Sequence, residues 1–172
     1  MEQPRYAYAR QMAKKVLKDC KIKVPPVNLE IILDKKGYTY IEVEDFPDKV
    51  DALCMESDGV CYFAVNSKHH LHRKRFSVAH EFGHVMLNHN LGYYDKPFIS
   101  LDNPPTEQTH TQAEAALEKE ANAFAGELLV PIDMLKPRFA EIRDITELAK
   151  MFLVSQEVMG IAINMHMKAL FK

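Results

Sequence analysis

Apolar and polar positions first separate clearly over residues 3–20. Tyr6, Met12, Ala13, Val16 and Leu17 recur at helical spacing against Arg10, Lys14, Lys15 and Lys18, which predicts an amphipathic helix with a solvated basic face. Val24, Pro25, Pro26 and Val27 interrupt it, since proline lacks a backbone donor and restrains the residue before it. Asn28 is placed to cap a short helix over residues 29–35 that stops at Gly37. There the period changes from helical to alternating. Residues 38–43 are β-branched and aromatic and predict a strand. Residues 52–56 and 60–65 flank Ser57-Asp58-Gly59, a hairpin signal. With Asp58-Gly59 as the turn, Glu56 faces Cys61 and Cys54 faces Phe63, so both cysteines share one sheet face. The last strand is expected at an edge beside the next helix, where an extended peptide could add as a further strand.

The helical period returns with Phe76, Ala79, Phe82 or Gly83, and Met86. Asn66 or Ser67 is the expected cap at the start, with Asn90 and Gly92 at the end. Residues 112–130 have strongly helix-forming composition. Within them Leu117, Ala121, Phe124 and Leu128 make one apolar stripe, and Pro131 ends the run. Residues 144–159 resemble half of a helix-turn-helix: one helix, a tight turn at residues 153–155, and a second helix continuing to about residue 172. Between the central helices, residues 91–111 carry Gly92, Pro97, Pro104 and Pro105 and predict a long loop. Loops of that length commonly cover a functional site. Tyr93 and Tyr94 fall in this loop and are expected to pack or to face solvent.

Composition narrows the function classes. A chain of 172 residues, 47% hydrophobic and 27% charged, suits a globular domain with a substantial core. A net charge of −2 argues against a general nucleic-acid binder. Nothing approaches the ~20 apolar residues of a membrane span, and the first residues contain no apolar signal core. Cys20, Cys54 and Cys61 form no CxxC pair and no even framework, as expected of reduced thiols that pack in a cytoplasmic protein.

The candidate chemistry lies at His80-Glu81-Phe82-Gly83-His84. On a helix, His80 and His84 leave the same face one turn apart and can share a tetrahedral zinc ion. Glu81, beside the first of them, is placed to take a proton from an attacking water. Gly83 costs a helix about 1 kcal/mol relative to alanine, and a second backbone crossing close by would account for it. A catalytic zinc needs a third protein ligand. A carboxylate of the 112–130 helix fits. Glu118 is the first choice, with Asn122 one turn on as support, and Glu114 shares that face. Glu120 points roughly 160° away, so Glu114, Glu120 and Glu127 are expected to be solvent-exposed helix formers. Glu114 and Glu120 remain alternatives for the third ligand. Residues 68–75 are basic and histidine-rich and read as a solvated helix entry, although positive charge there opposes the helix dipole and calls for acidic neighbours. His72, eight residues before His80, is a decoy ligand.

Arg75-Phe76-Ser77-Val78-Ala79-His80-Glu81-Phe82-Gly83-His84, followed by Glu118-Lys119-Glu120-Ala121-Asn122-Ala123-Phe124-Ala125-Gly126-Glu127-Leu128-Leu129-Val130-Pro131, resembles the ImmA/IrrE family of zinc metallopeptidases. The family's blocks read roughly RF-small-xAHExGH and ExEANxFAxELLxP. Gly126 stands where alanine is more usual and Val130 where methionine is, and neither is a ligand position. The resemblance implies a gluzincin-like α+β domain with a small antiparallel sheet packed on the HExxH helix. It implies zinc held by His80, His84 and Glu118, and Glu81 as general base and then acid to the leaving amine. It further implies an endopeptidase of a bacterial or phage cytoplasm that cleaves a helix-turn-helix repressor and so relieves repression.

The expected organisation is a metallopeptidase domain over residues 1–140 and a helical extension over 141–172 packed on it. A DNA-reading helix needs polar side chains facing bases. After Ser155 only Gln156, Asn164 and Lys168 qualify, amid Val158, Met159, Ile161, Ala162, Ile163, Met165 and Met167. No direct nucleic-acid contact is therefore expected, and the methionine-rich helix would pack or grip a partner. The rival from another class is a non-catalytic, zinc-containing anti-repressor that sequesters the repressor. The intact Glu81 argues against it.

Overall fold

The computed structural model describes residues 3–89 and 112–171. Within them the order is α1 (Tyr6–Asp19), α2 (Leu29–Lys35), β1 (Tyr38–Val43), β2 (Ala52–Ser57), β3 (Val60–Asn66), α3 (Leu71–Met86), α4 (Gln112–Leu129), α5 (Ile132–Glu141), α6 (Ile145–Phe152) and α7 (Gln156–Leu170). The class is α+β, as expected. The loop expected at 91–111, with Tyr93 and Tyr94, and the end caps Asn90 and Gly92 lie outside the described residues.

Local chemistry sets the boundaries. The Asn28 side chain accepts from the Ile31 amide at 3.0 Å and starts α2. Asp144 Oδ1 accepts from Thr146 and Glu147 at the start of α6, and Ser155 Oγ accepts from Val158 at the start of α7. These are the short polar side chains that satisfy orphan amides at helix starts. Leu153, at φ 52, turns the chain between α6 and α7. Its backbone oxygen accepts from Arg75 Nε at 3.0 Å, while Arg75 Nη2 donates to Val27 O at 2.9 Å, so one arginine of α3 pins the helical tail and the lead-in to α2. At α3 the expected cap is corrected. His70 occupies the position and accepts from the His72 amide. Asn66 is buried instead, donating to Pro47 O and Val50 O and accepting from the Lys68 amide, which fastens the β1–β2 connection.

The sheet order is β1-β3-β2. β2 and β3 form the expected antiparallel hairpin, with Cys54 opposite Phe63 and Glu56 opposite Cys61. β1 runs parallel to β3, so the sheet is mixed rather than wholly antiparallel. β3 lies in the centre rather than at an edge, because the chain crosses from β1 to β2 before the hairpin returns into the gap. Cys20 is buried, and Cys54 and Cys61 are half-buried free thiols.

One core runs from Ala9 in α1 to Ala162 in α7. Through its middle Tyr38, Phe63, Phe82 and Phe124 pack edge to face, with successive ring centroids 5.3–5.8 Å apart, joining sheet, α3 and α4. Gly83 lets α4 approach. A Cβ there would lie 3.1 Å from the Phe124 ring and 3.2 Å from Ala121 O. The expected close crossing is thus the backbone of α4.

Candidate metal centre

The crossing at Gly83 lays α4 along the His80/His84 face of α3. His80 Nε2 and His84 Nε2 are 3.0 Å apart. Glu118 Oε2 lies 3.1 Å from His80 Nε2, and Oε1 lies 3.4 Å from His84 Nε2. Among the described residues these three form a group that could hold a metal ion. Three ligands ~2.1 Å from a tetrahedral ion sit roughly 3.4 Å from one another. Two imidazole nitrogens and a carboxylate oxygen at 3.0–3.4 Å therefore fit an ion of that kind.

Electrostatics agree with the geometry. His80 and His84 hold the Glu118 carboxyl well below the usual carboxylate range, against the effect of burial. Burial by itself would lower the His80 pKa, but the hydrogen bond to Glu118 and the charges of Glu81 and Glu118 outweigh it and raise the value. Glu81, beside these ligands, is pushed up by burial; Glu118 adds to the rise and the two imidazoles oppose it.

Each histidine is held from behind. His80 Nδ1 meets Asn122 Oδ1 at 3.0 Å. Asn122 thus supports His80 rather than Glu118, because one turn along α4 carries it past the carboxylate to the far side of the imidazole. His84 Nδ1 meets His89 Nδ1 at 3.0 Å, and His89 Nε2 meets Glu120 Oε2 at 3.1 Å. Glu120 also receives the Arg5 guanidinium at 2.8 Å. Burial would raise the Glu120 pKa, but its hydrogen bonds with Arg5 and His89 outweigh this and pull it down to about 2.

The expectation for Glu120 and Glu127 is thereby corrected. Both are buried. Glu127 accepts from the Ile132 amide at 3.3 Å and lies 3.2 Å from His166 Nε2 and 3.7 Å from Lys14 Nζ. The helix carrying them is covered on more than one face, by α1 and α7 as well as α3, so a glutamate pointing away from the metal cluster meets protein instead of water. Glu114 is exposed, as expected, and stands outside the cluster. His89 went unassigned in the sequence because it lies past the helix end. The available signal was Asn88, a residue type that tolerates the left-handed turn (φ 55) returning His89 beneath the helix.

The basic entry to α3 has the acidic neighbours its charge calls for. Lys74 pairs with Glu42 at 2.8 Å, and Asp51 lies 2.7 Å from Arg73 and 2.9 Å from His69. His72 stacks edge-on against His70 and takes no part in the cluster. Beside Asn122 a cavity of about 660 Å³ opens between the first turns of α3, the last turns of α4 and the face of α7, lined by Phe76, Val130, Val158, Ile161 and Met165 among others. No helix among the described residues is long and apolar enough to cross a membrane.

The family model described as Peptidase_M78, IrrE N-terminal-like domain, matches residues 56–164. Comparison with curated proteins finds no match. Among solved structures, one titled Mycobacterium tuberculosis transcriptional regulator is similar at a TM-score of 0.63 and 18% identity, over 89% of this chain and 45% of that one. At that identity the likeness is one of fold. The chain spans less than half the length of that neighbour.

Proposed function

This chain belongs to the Peptidase_M78 family, with an IrrE N-terminal-like domain, and on that premise we propose a zinc-dependent endopeptidase that cleaves a helix-turn-helix transcriptional repressor in the cytoplasm. The observation that carries the reading is the convergence of His80, His84 and Glu118 beside the half-buried Glu81. A purely structural zinc site is closed by four protein ligands. Here the three groups are joined by the half-buried carboxylate of Glu81, an arrangement useful for hydrolysis.

His80, His84 and Glu118 would hold the ion, which supplies Lewis-acid polarisation of the scissile carbonyl and acidifies a water molecule. Glu81 takes a proton from the attacking water as its oxygen adds to the carbonyl carbon. The C–N bond then breaks, and Glu81 returns the proton to the leaving amine. Asn122 keeps His80 oriented by accepting at Nδ1. The cavity beside Asn122 supplies an apolar surface suited to side chains of a protein substrate, and Ile161 and Met165 of α7 extend it.

The test is incubation of the zinc-loaded protein with purified helix-turn-helix repressors as candidate substrates, followed by gel and mass analysis. New fragments that appear with the parent and not with Glu81→Gln support the reading. A repressor left whole yet released from its operator would favour the sequestering anti-repressor instead. Equal cleavage by parent and Glu81→Gln would remove Glu81 from the mechanism.

A further inference from the structure

Behind His84 the polar contacts continue through His89 and Glu120 to Arg5, the residue before α1. Arg5 gives Glu120 its backbone N–H at 2.8 Å, Nε–H at 3.0 Å and an Nη2–H at 2.8 Å. A guanidinium and an amide only donate, so both Glu120 oxygens act as acceptors. Glu120 Oε2 also faces His89 Nε2 at 3.1 Å, so that nitrogen carries an N–H, and in the neutral form of the ring the other nitrogen is left as the acceptor. His89 Nδ1 then carries the lone pair. It faces His84 Nδ1 at 3.0 Å, and two nitrogens at that distance need one donor and one acceptor. His84 must donate from Nδ1, and its lone pair falls on Nε2, the atom that faces His80 and Glu118.

We propose that His89 and Glu120, anchored by Arg5, form a positioning relay that sets the tautomer of His84 and thereby its affinity for the metal ion. The proposal rests on the reading of His84 as a metal ligand. The two histidines need different support. His80 is backed by an amide oxygen, which can only accept. His84 is backed by an imidazole, which can present either a donor or an acceptor. Without the carboxylate behind it, His89 could present Nδ1–H, and the His84 proton would then occupy the nitrogen that binds metal. His84, His89 and Glu120 are each at most 3% exposed, so bulk water has little access to take over the role. The chain turn at Asn88 and the bond from the His89 amide to His84 O, 3.0 Å, hold His89 in register.

Zinc affinity, measured by competition with a chromophoric chelator, and imidazole nitrogen NMR of the zinc-free protein test the relay together. His89→Leu should weaken zinc binding roughly 10–100-fold, the usual effect of losing an outer partner of a ligand. Its His84 signals should change from one Nδ1–H tautomer to a mixture. His89→Gln should recover most of the loss, because an amide oxygen can accept from His84 Nδ1–H. Glu120→Met, of similar shape but with no acceptor for His89 Nε2–H, should mix the tautomers as well, and it decides the matter if His89→Leu fails to fold. Parent affinity and a single His84 tautomer in Glu120→Met overturn the relay, provided that His84→Ala loses zinc. If His84→Ala binds zinc like the parent, or the parent binds none, the metal-site reading itself fails.

Discussion

The two ends of α3 hold histidine groups of equal size and opposite fate. His69, His70 and His72 stand at its start; His80, His84 and His89 stand in its last turns and just beyond. At the start each ring is engaged singly. His69 pairs with Asp51, His70 caps the helix, and His72 leans on the His70 ring. At the end all three rings join one network with Glu118, Glu120 and Asn122. The difference lies in what lies opposite. α4 crosses the second group at contact distance and presents three polar side chains within little more than one turn, whereas at the first group Asp51 of the β1–β2 connection pairs with His69 and Arg73. Histidine density marks neither end as a site; the element packed against it does.

The largest effect expected from breaking this comparison is chemical. Glu81→Gln should retain about one zinc per chain and lower cleavage by roughly 10²–10⁴-fold, the usual range for loss of a general base. His84→Ala should leave little zinc by elemental analysis, while His72→Ala should hold as much as the parent. Zinc loss in His72→Ala would mean the two groups are not separate.

Gly83→Val attacks the crossing itself. An added Cβ meets the Phe124 ring at 3.1 Å and Ala121 backbone at 3.2–3.3 Å. Overpacking of this kind costs about 1–3 kcal/mol, part of which is offset by a helix propensity better than that of glycine. Denaturant titration should show the loss, and zinc affinity should fall with it as Glu118 is carried away from the histidines. Unchanged stability together with unchanged affinity would show that α4 does not depend on that approach.

At the other end of α3 the effects are small. The Lys74–Glu42 pair ties α3 to β1 at the surface. Its hydrogen bonds from Lys74 hold the Glu42 carboxyl below the ordinary range, against a small effect of burial. A depressed carboxyl contributes stability above its unfolded pKa and loses it as pH falls through the lowered folded value. Glu42→Gln should therefore cost at most ~0.5 kcal/mol at neutral pH, and nothing once the pH lies below that value. Paired melts of parent and variant across the acid range would check the sign; a gap that widens with acid would refute it.

Much of this was legible in the chain. The helix cap at Asn28, the turn at residues 153–155 and the hairpin register at Cys54 and Cys61 sit where the sequence places them, because each depends on a few neighbouring residues. Other features were not. Asn66 has the composition of a cap and is used to fasten a loop. Glu120 and Glu127 have the composition of exposed helix formers and are buried with partners.

The sequence by itself determined the elements other than α5, and the pairing of His80 with His84. Helical repeat, capping and turn chemistry act over four residues or fewer, and a four-residue spacing on a helix places two side chains together in any fold. Only the tertiary structure decided which glutamate completes the cluster, that Asn122 serves His80, that His89 and Glu120 stand behind His84, and that β3 lies between β1 and β2. Local pattern ranks Glu118 ahead of Glu114 and Glu120 but leaves all three open. What separates them is the angle and closeness with which α4 crosses α3 at Gly83, a property of packing between distant segments that no local pattern encodes.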